Sequence, residues 1–136
     1  STLKNRGAKL IVYHGTSDPI FSYNDTAAWY EGLQSANGGD ASNFARLFPV
    51  PGMNHCSGGP TADQFDMVDA LVKWVEQGTA PATVIATARG AGAFAVNPEV
   101  PADWAANRSR PLCPYPKVPR YSGSGSLELA SSFSCQ

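Results

Sequence analysis

Two short runs of consecutive apolar residues mark the first half of the chain, and each run ends in a polar turn. Residues 9–13 read Lys-Leu-Ile-Val-Tyr with almost no alternation, a pattern typical of a strand buried on both faces of a parallel sheet. Residues 44–50 form the second strand candidate, in which Pro49 marks the strand end or a bulge because proline has no N–H to donate to the sheet. The pattern predicts two strands, each followed by a loop that carries polar side chains.

Two further segments have the apolar spacing of amphipathic helices. Ser22 as N-cap and Asp25 at the N3 position precede a predicted helix over 26–35, whose expected buried face carries Trp29, Tyr30 and Leu33. A second helix is predicted to start within residues 63–66, with Asp63 and Asp66 near its positive end, and to stop at Gly78. Its apolar residues follow i, i+3, i+4 spacing: Phe65, Val68, Leu71, Val72 and Val75.

The last third of the chain differs in composition from the rest. Residues 83–87 predict a short edge strand, and from Arg89 onward the glycines, prolines and serines predict surface wrapping with little regular structure. We expect four aromatic side chains to pin this tail to the body: Trp104, Tyr115, Tyr121 and Phe133. The alternation of strand, helix, strand, loop and helix predicts the α/β class, with a parallel sheet and right-handed crossovers.

Length, charge and hydropathy narrow the classes of function. The chain has 136 residues, 43% of them hydrophobic, and a formal charge of −1, so it is long enough for one core and has no basic excess that would favour nucleic acid. No run of about 18 apolar residues predicts a membrane span. The first six residues lack the apolar stretch of a signal peptide, so any export signal would be encoded outside the residues given.

The three cysteines predict a disulfide and leave one thiol over. Cys113 and Cys135 bracket a tail rich in Pro, Gly and Ser, where a bridge would replace the missing apolar core. Cys56 then has three interpretations: a free thiol, a bridge to a cysteine outside this sequence, or part of a metal site. The spacing of His14, His55 and Cys56 is not that of a zinc module.

Asp18 and His55 follow the two predicted strands. Parallel strands place their carboxyl ends at one edge of the sheet, where α/β folds carry their chemistry, although an ordinary Asx turn would also explain Asp18. In α/β hydrolases the triad runs serine, acid, histidine along the chain, and the order of Asp18 and His55 agrees with its last two members. A catalytic histidine needs an acid that fixes its tautomer and stabilises the imidazolium.

Three runs stand out in the sequence, of which the second is the most specific: His14-Gly15-x-x-Asp18-Pro19, Pro51-Gly52-Met53-x-His55-Cys56-Ser57-Gly58-Gly59, and Trp74-Val75-Glu76-x-Gly78-x-Ala80-Pro81. With the pair Phe65-Asp66, they resemble the C-terminal part of the tannase and feruloyl esterase family, closest to its terephthalate-ester branch. The resemblance covers nearly the whole chain. It implies an α/β-hydrolase fold. Residues 1–88 would be the C-terminal part of the catalytic domain, and 89–136 its tail.

The resemblance also implies roles for individual residues. Asp18 would be the triad acid and His55 its base, while Cys56 would pair with a cysteine just before the nucleophilic serine. Phe21 corresponds to an aromatic position at the substrate pocket, although packing at the helix entry would equally explain it. The resemblance pairs Cys113 with Cys135, and the reaction needs no redox cofactor. Any calcium ion would be structural and would lie in a lid outside these residues.

The main departure from the family is the missing nucleophile. The sequence contains no Gly-x-Ser-x-Gly motif, and Ser57 lies too close to His55 along the chain to transfer its proton to that ring. We therefore expect this chain to be the C-terminal portion of a serine esterase that acts on small aromatic esters. Its partner would be an N-terminal segment that carries the serine, and the chain alone should show no turnover. The alternative is a non-catalytic binding or structural module. The cysteines indicate a secreted or periplasmic protein.

Overall fold

The computed structural model describes residues 2–136. It contains three helices, six short strands and one 3₁₀ turn within these residues. In chain order they are α1 (Thr2–Asn5), β1 (Leu10–Gly15), α2 (Tyr23–Ser35), β2 (Ala45–Val50), α3 (Met67–Gln77), β3 (Val84–Thr87), β4 (Ser109–Leu112), β5 (Pro119–Tyr121), the 3₁₀ turn (Ala130–Ser132) and β6 (Phe133–Cys135).

Strands β1 and β2 form a parallel pair, with α2 as the crossover between them. The register runs from Leu10 opposite Ala45 to Gly15 opposite Val50, so both strands end at the same edge. Pro49 lies inside β2, opposite His14, instead of ending the strand. The α/β class with a parallel sheet is therefore confirmed, and the two loops that follow these strands start side by side.

Burial differs between the two strands. Phe48 and Val50 of β2 contribute to one apolar cluster and Ala45 and Leu47 to another, so β2 lies between two cores. In β1 only Gly15 is fully buried, and Tyr13 is 48% exposed. The expected burial of β1 on both faces is met only in part: Ile11 packs against one apolar cluster and Leu10 and Val12 against the other, but all three are half-buried.

Helix α2 begins three residues earlier than predicted. Ser22 is its N-cap residue, but the side chain makes no capping hydrogen bond. Tyr30 is buried and its hydroxyl donates to the carbonyl of Ala45 at 2.9 Å, whereas Trp29 is 48% exposed. Adjacent residues on a helix point about 100° apart, so Trp29 and Tyr30 do not share the buried face that the sequence predicted.

Helix α3 is confirmed, with a later start than expected. Asp66 caps it by accepting the N–H of Asp69 at 2.8 Å, and Gly78 ends it with φ of 70° in the left-handed region. Met67 and Trp74 are its fully buried residues. The predicted core face is partly wrong, since three of its residues are exposed: Val68, Val72 and Val75.

The tail contains more regular structure than its composition predicted. Strand β4 pairs antiparallel with β3, and β5 pairs with β6. These pairings satisfy backbone groups of the tail, although Pro111 and Pro119 within the strands have no N–H to donate. Cys113 and Cys135 form the expected disulfide, with Cα atoms 5.5 Å apart. Tyr115 anchors the tail to the body, because its N–H donates to the Leu47 carbonyl at 2.7 Å.

The division at residues 88 and 89 stays a prediction. Strand β3 lies before it and β4 after it, so the tail continues the body of the molecule through a strand pair. None of the helices in residues 2–136 is long and apolar enough to cross a membrane.

Candidate active site

Asp18 lies in the turn that follows β1, which we name the aspartate turn (residues 16–21). Its Oδ1 accepts the backbone N–H of Ile20 at 2.8 Å and of Phe21 at 3.0 Å, which is the local Asx-type contact that the sequence left open. Its second oxygen, Oδ2, is left to face the neighbouring loop. Asp18 is therefore an Asx-turn residue through Oδ1, and its role as an acid stays a prediction.

His55 lies in the loop after β2, which we name the histidine loop (residues 51–59). The carbonyl of Met53 accepts the N–H of Ser17 at 3.1 Å, and this contact joins the two loops. Gly15 makes the approach feasible: a Cβ there would lie 2.2 Å from the Met53 carbonyl oxygen. Any other residue at position 15 would push the loops apart.

The two loops bring Asp18 and His55 together. Nδ1 of His55 lies 2.8 Å from Oδ2 of Asp18, although the residues are 37 positions apart in sequence. A carboxylate only accepts hydrogen bonds, so Nδ1 carries the proton and Nε2 is the free acceptor of neutral His55. The His55 side chain is 40% exposed while that of Asp18 is 4% exposed, which leaves the ring accessible and the acid shielded.

The hydrogen bonds keep Asp18 ionised. Burial by itself would raise the pKa of this carboxyl, but hydrogen bonds from the N–H of Phe21, from His55 and from the N–H of Ile20 outweigh that effect. The pKa of Asp18 is held well below its usual range. A carboxylate in this state can orient His55 and stabilise the imidazolium that forms when His55 takes a proton.

A second histidine contacts the same carboxylate, and the sequence reasoning gave it no role in the site. Nε2 of His14 lies 3.3 Å from Asp18 Oδ2 and 3.2 Å from the carbonyl oxygen of Phe21, while its Nδ1 is 2.8 Å from Thr26 Oγ1. His14 thus connects the aspartate turn to α2. The sequence signal that could have placed His14 in the site is its position near the end of β1, four residues before Asp18.

An open cleft of about 680 Å³ lies over the Asp18–His55 pair. Phe21 is 60% exposed and its ring centroid lies 5.3 Å from that of His55, so it presents an apolar face next to the imidazole. Trp29 and Met53 also line the cleft, which explains why Trp29 points away from the core. The position of Phe21 agrees with a substrate contact, and that role stays a prediction.

Cys56 lines the same cleft and is a free, exposed thiol in this chain. Its φ of 64° puts it in the left-handed region, where a residue other than glycine is uncommon. The predicted bridge to a cysteine outside the chain is not tested by this geometry. Within residues 2–136 no group of three or more His, Cys, Asp or Glu side chains could hold a metal ion.

The comparison with known proteins identifies the family. The family model described as tannase and feruloyl esterase matches residues 1–136. The chain belongs to the tannase and feruloyl esterase family. It is 50% identical over 135 residues to mono(2-hydroxyethyl) terephthalate hydrolase from Piscinibacter sakaiensis, covering 99% of this chain and 21% of that relative. A probable feruloyl esterase from Arthroderma benhamiae is 36% identical over 139 residues, at 99% and 24% coverage.

A solved structure agrees with this membership. Feruloyl esterase B from Aspergillus oryzae superposes with a TM-score of 0.77 at 28% identity, over 99% of this chain and 28% of that chain. The expected fold, with helices beside a parallel strand pair and a disulfide in the tail, is confirmed. The chain spans only about a fifth to a quarter of the length of the curated relatives named here.

Asp18 makes the stability of this family member depend on pH. The pKa of Asp18 is lower in the folded chain than the value of about 3.9 expected when unfolded. The ionised carboxylate therefore adds to the free energy of unfolding above that pH, and this stabilisation is lost as the pH falls towards the folded-state pKa. We expect the free energy of unfolding to fall below about pH 4, and less steeply in Asp18→Asn. Urea unfolding at stepped pH measures this, with the exposed Asp103→Asn as control. Identical pH slopes for wild type and Asp18→Asn would contradict it.

Proposed function

We propose that this chain is the C-terminal portion of a serine carboxylic-ester hydrolase that acts on esters of aromatic acids. The observation that carries the proposal is the 2.8 Å contact between Asp18 Oδ2 and His55 Nδ1 at the adjacent ends of two parallel strands. In this family member the pair supplies the acid and the base of a triad. The serine, the oxyanion hole and the lid belong to a segment outside these residues.

The reaction follows from the atoms that the pair exposes. The serine oxygen attacks the ester carbonyl while His55 Nε2 takes the serine proton, and the alcohol leaves with that proton. An acyl-enzyme remains. His55 then takes a proton from water, whose oxygen attacks the acyl carbon, and returns the proton to the serine as the acid is released. Asp18 keeps Nδ1 protonated and Nε2 directed outward in both steps.

The cleft supports an aromatic acyl group. Phe21 offers an exposed ring beside His55, and Trp29 offers another in the same cleft. Aromatic pairs prefer offset or edge-to-face contacts of the kind that a flat ring can make here. The relatives are named for a terephthalate monoester and for feruloyl esters. Terephthaloyl, feruloyl and galloyl esters are the substrate classes that we propose.

The partner of this chain is the segment that would carry the serine. Two surfaces support such a partner. One is the edge of β1 that pairs with no strand within residues 2–136, and the other is the set of exposed valines of α3, because an exposed apolar patch commonly marks an interface. Cys56 would then pair with a cysteine just before the serine and hold the histidine loop beside the nucleophile. A disulfide-bonded tail supports an extracellular or periplasmic location for the proposed enzyme.

The test compares two proteins in one assay. We expect the purified 136-residue chain to show no hydrolysis of an aromatic p-nitrophenyl ester above the uncatalysed rate. The sequence has no Gly-x-Ser-x-Gly motif, and within residues 2–136 the His55 side chain hydrogen-bonds to Asp18 and to no serine. The product of the complete reading frame should hydrolyse the same ester and should be inactivated by His55→Ala. Turnover by the short chain alone would refute the missing nucleophile. An inactive full-length protein would instead favour the non-catalytic module.

A further inference from the structure

The tip of the histidine loop has few contacts of its own. In the part of the chain that the structure describes, the His55 side chain hydrogen-bonds to Asp18 alone, and Cys56 and Ser57 are exposed. The loop closes on itself where the N–H of Asn54 donates to the Gly58 carbonyl at 3.0 Å. The aspartate turn holds the first half of the histidine loop through the contact of Ser17 with Met53. The position of the His55 imidazole therefore also depends on the contacts that hold the second half of the loop.

The second half is held by a carboxylate from the tail. Oε2 of Glu99 accepts the backbone N–H of Gly59 at 2.7 Å, and its Oε1 lies 3.4 Å from Nδ2 of Asn54. One side chain therefore contacts both sides of the closed turn that carries His55. The absence of a Cβ at Gly58 gives this carboxylate room, because a Cβ there would lie 3.0 Å from Oε2.

Asn97 connects the Glu99 backbone to the histidine loop. Its side chain donates from Nδ2 to the Gly59 carbonyl at 2.8 Å and accepts the N–H of Glu99 on Oδ1 at 3.0 Å. Asn97 is only 4% exposed. Because the donor and the acceptor of this buried side-chain amide are both hydrogen-bonded, Asn97 fixes the distance between the tail and the histidine loop.

A buried ion pair between Asp63 and Arg89 holds the same half of the histidine loop. Oδ2 of Asp63 accepts the Gly58 N–H at 2.9 Å, and Arg89 binds both Asp63 oxygens at 2.9 and 2.6 Å. The Asp63 side chain is 0% exposed. The expected role of Asp63 in the first turn of α3 is therefore wrong: the residue precedes the helix and binds the histidine loop.

Four side chains thus define what we name the loop clamp: Asp63, Arg89, Asn97 and Glu99. We propose that the loop clamp positions His55 for proton transfer, with Glu99 as the positioning residue that acts on the loop without supporting the core. The proposal rests on the function proposed above. Glu99 is exposed as a residue, and its hydrogen bonds within residues 2–136 go to the loop and Asn97, so its removal leaves the apolar clusters intact and frees the turn to shift. A misplacement of about 1 Å can cost about 10²-fold in rate.

The first test measures kinetics in the full-length enzyme. We expect Glu99→Ala to lower kcat about 10-fold with KM nearly unchanged, since it displaces the base and leaves Phe21 in place. Glu99→Gln keeps a carbonyl oxygen for Gly59 and should recover much of the loss. Glu76→Ala, an exposed glutamate on α3, is the matched control. A Glu99→Ala rate equal to that of the control, or no recovery by Gln, would overturn the proposal.

The second test uses the 136-residue chain and needs no turnover. In Glu99→Ala we expect faster hydrogen exchange at the Gly59 amide and a shifted NMR resonance of the His55 Nδ1 proton, at an unchanged midpoint of thermal unfolding. Unchanged exchange and resonance would overturn the clamp. A full-length wild type that hydrolyses no ester would refute the proposed function instead, and this NMR comparison would still decide whether Glu99 fixes the loop.

Discussion

If the full-length protein is the ester hydrolase proposed above, replacing Asp18 with asparagine is expected to lower its kcat by about 10⁴-fold. The side-chain amide oxygen of the Asp18→Asn variant would keep the two turn contacts with Ile20 and Phe21 that Oδ1 makes in the wild type, so the turn itself survives. The NH₂ group would face His55 Nδ1 as a donor, and Nδ1 would have to accept. The ring proton would then lie on Nε2, the atom that must receive the serine proton.

The matched control for this substitution is Asp40→Asn. Asp40 makes a similar turn contact, since its Oδ1 accepts the N–H of Ser42 at 2.7 Å, but it lies in the turn after α2 and is not among the residues that line the cleft. It should keep wild-type kcat. Initial rates on an aromatic p-nitrophenyl ester measure both variants. An Asp18→Asn enzyme that retains more than about a tenth of kcat would exclude Asp18 as the acid of the triad.

Replacing Gly15 with alanine is expected to cause a large loss of stability. The added Cβ would lie 2.2 Å from the Met53 carbonyl oxygen and 2.6 Å from that of Asn54. Both atoms belong to the backbone and cannot move as a side-chain end could. We expect a loss of about 3 kcal/mol in the free energy of unfolding, at the upper end for overpacking, measured by urea denaturation of the purified chain.

Gly32→Ala is the control for that experiment. Gly32 lies inside α2, and a Cβ there would meet nothing within 4 Å. Alanine has the higher helix propensity, so we expect a gain of about 0.5–1 kcal/mol. Opposite signs for the two Gly→Ala variants would show that contact between the loops causes the loss at position 15. A Gly15→Ala chain as stable as wild type would contradict the close approach of the two loops.

The sequence was sufficient for the elements whose evidence is local. The apolar runs predicted β1 and β2, and the Asp66 and Gly78 ends of α3 follow capping chemistry. The positions of Asp18 and His55, each directly after a parallel strand, predicted that these two residues meet. These features depend on a few adjacent residues and on the geometry of parallel strands. The catalytic roles of these two residues stay predictions.

Other features depend on contacts that the local pattern does not contain. Trp29 and the valines of α3 are apolar at helical spacing, yet they are exposed because within residues 2–136 no element covers them. Strand β4 was missed since it is only four residues long and includes Pro111. Glu99 and Arg89 lie in a segment rich in Gly and Ala that shows no periodicity. In the folded chain Glu99 binds Gly59, 40 positions earlier, and Arg89 binds Asp63, 26 positions earlier.

The aspartate turn has a consequence for protein design. Gly15, the last residue of β1, permits a neighbouring loop to approach the aspartate turn. Within the turn, two backbone N–H groups hold Oδ1 of Asp18 while Oδ2 faces His55; strand end and turn together comprise residues 15–21. The orientation is set by the turn itself, so it can be transplanted with the turn. Grafted after a strand of another parallel sheet, this heptapeptide would present a preoriented acceptor to whatever donor the adjacent loop is designed to carry.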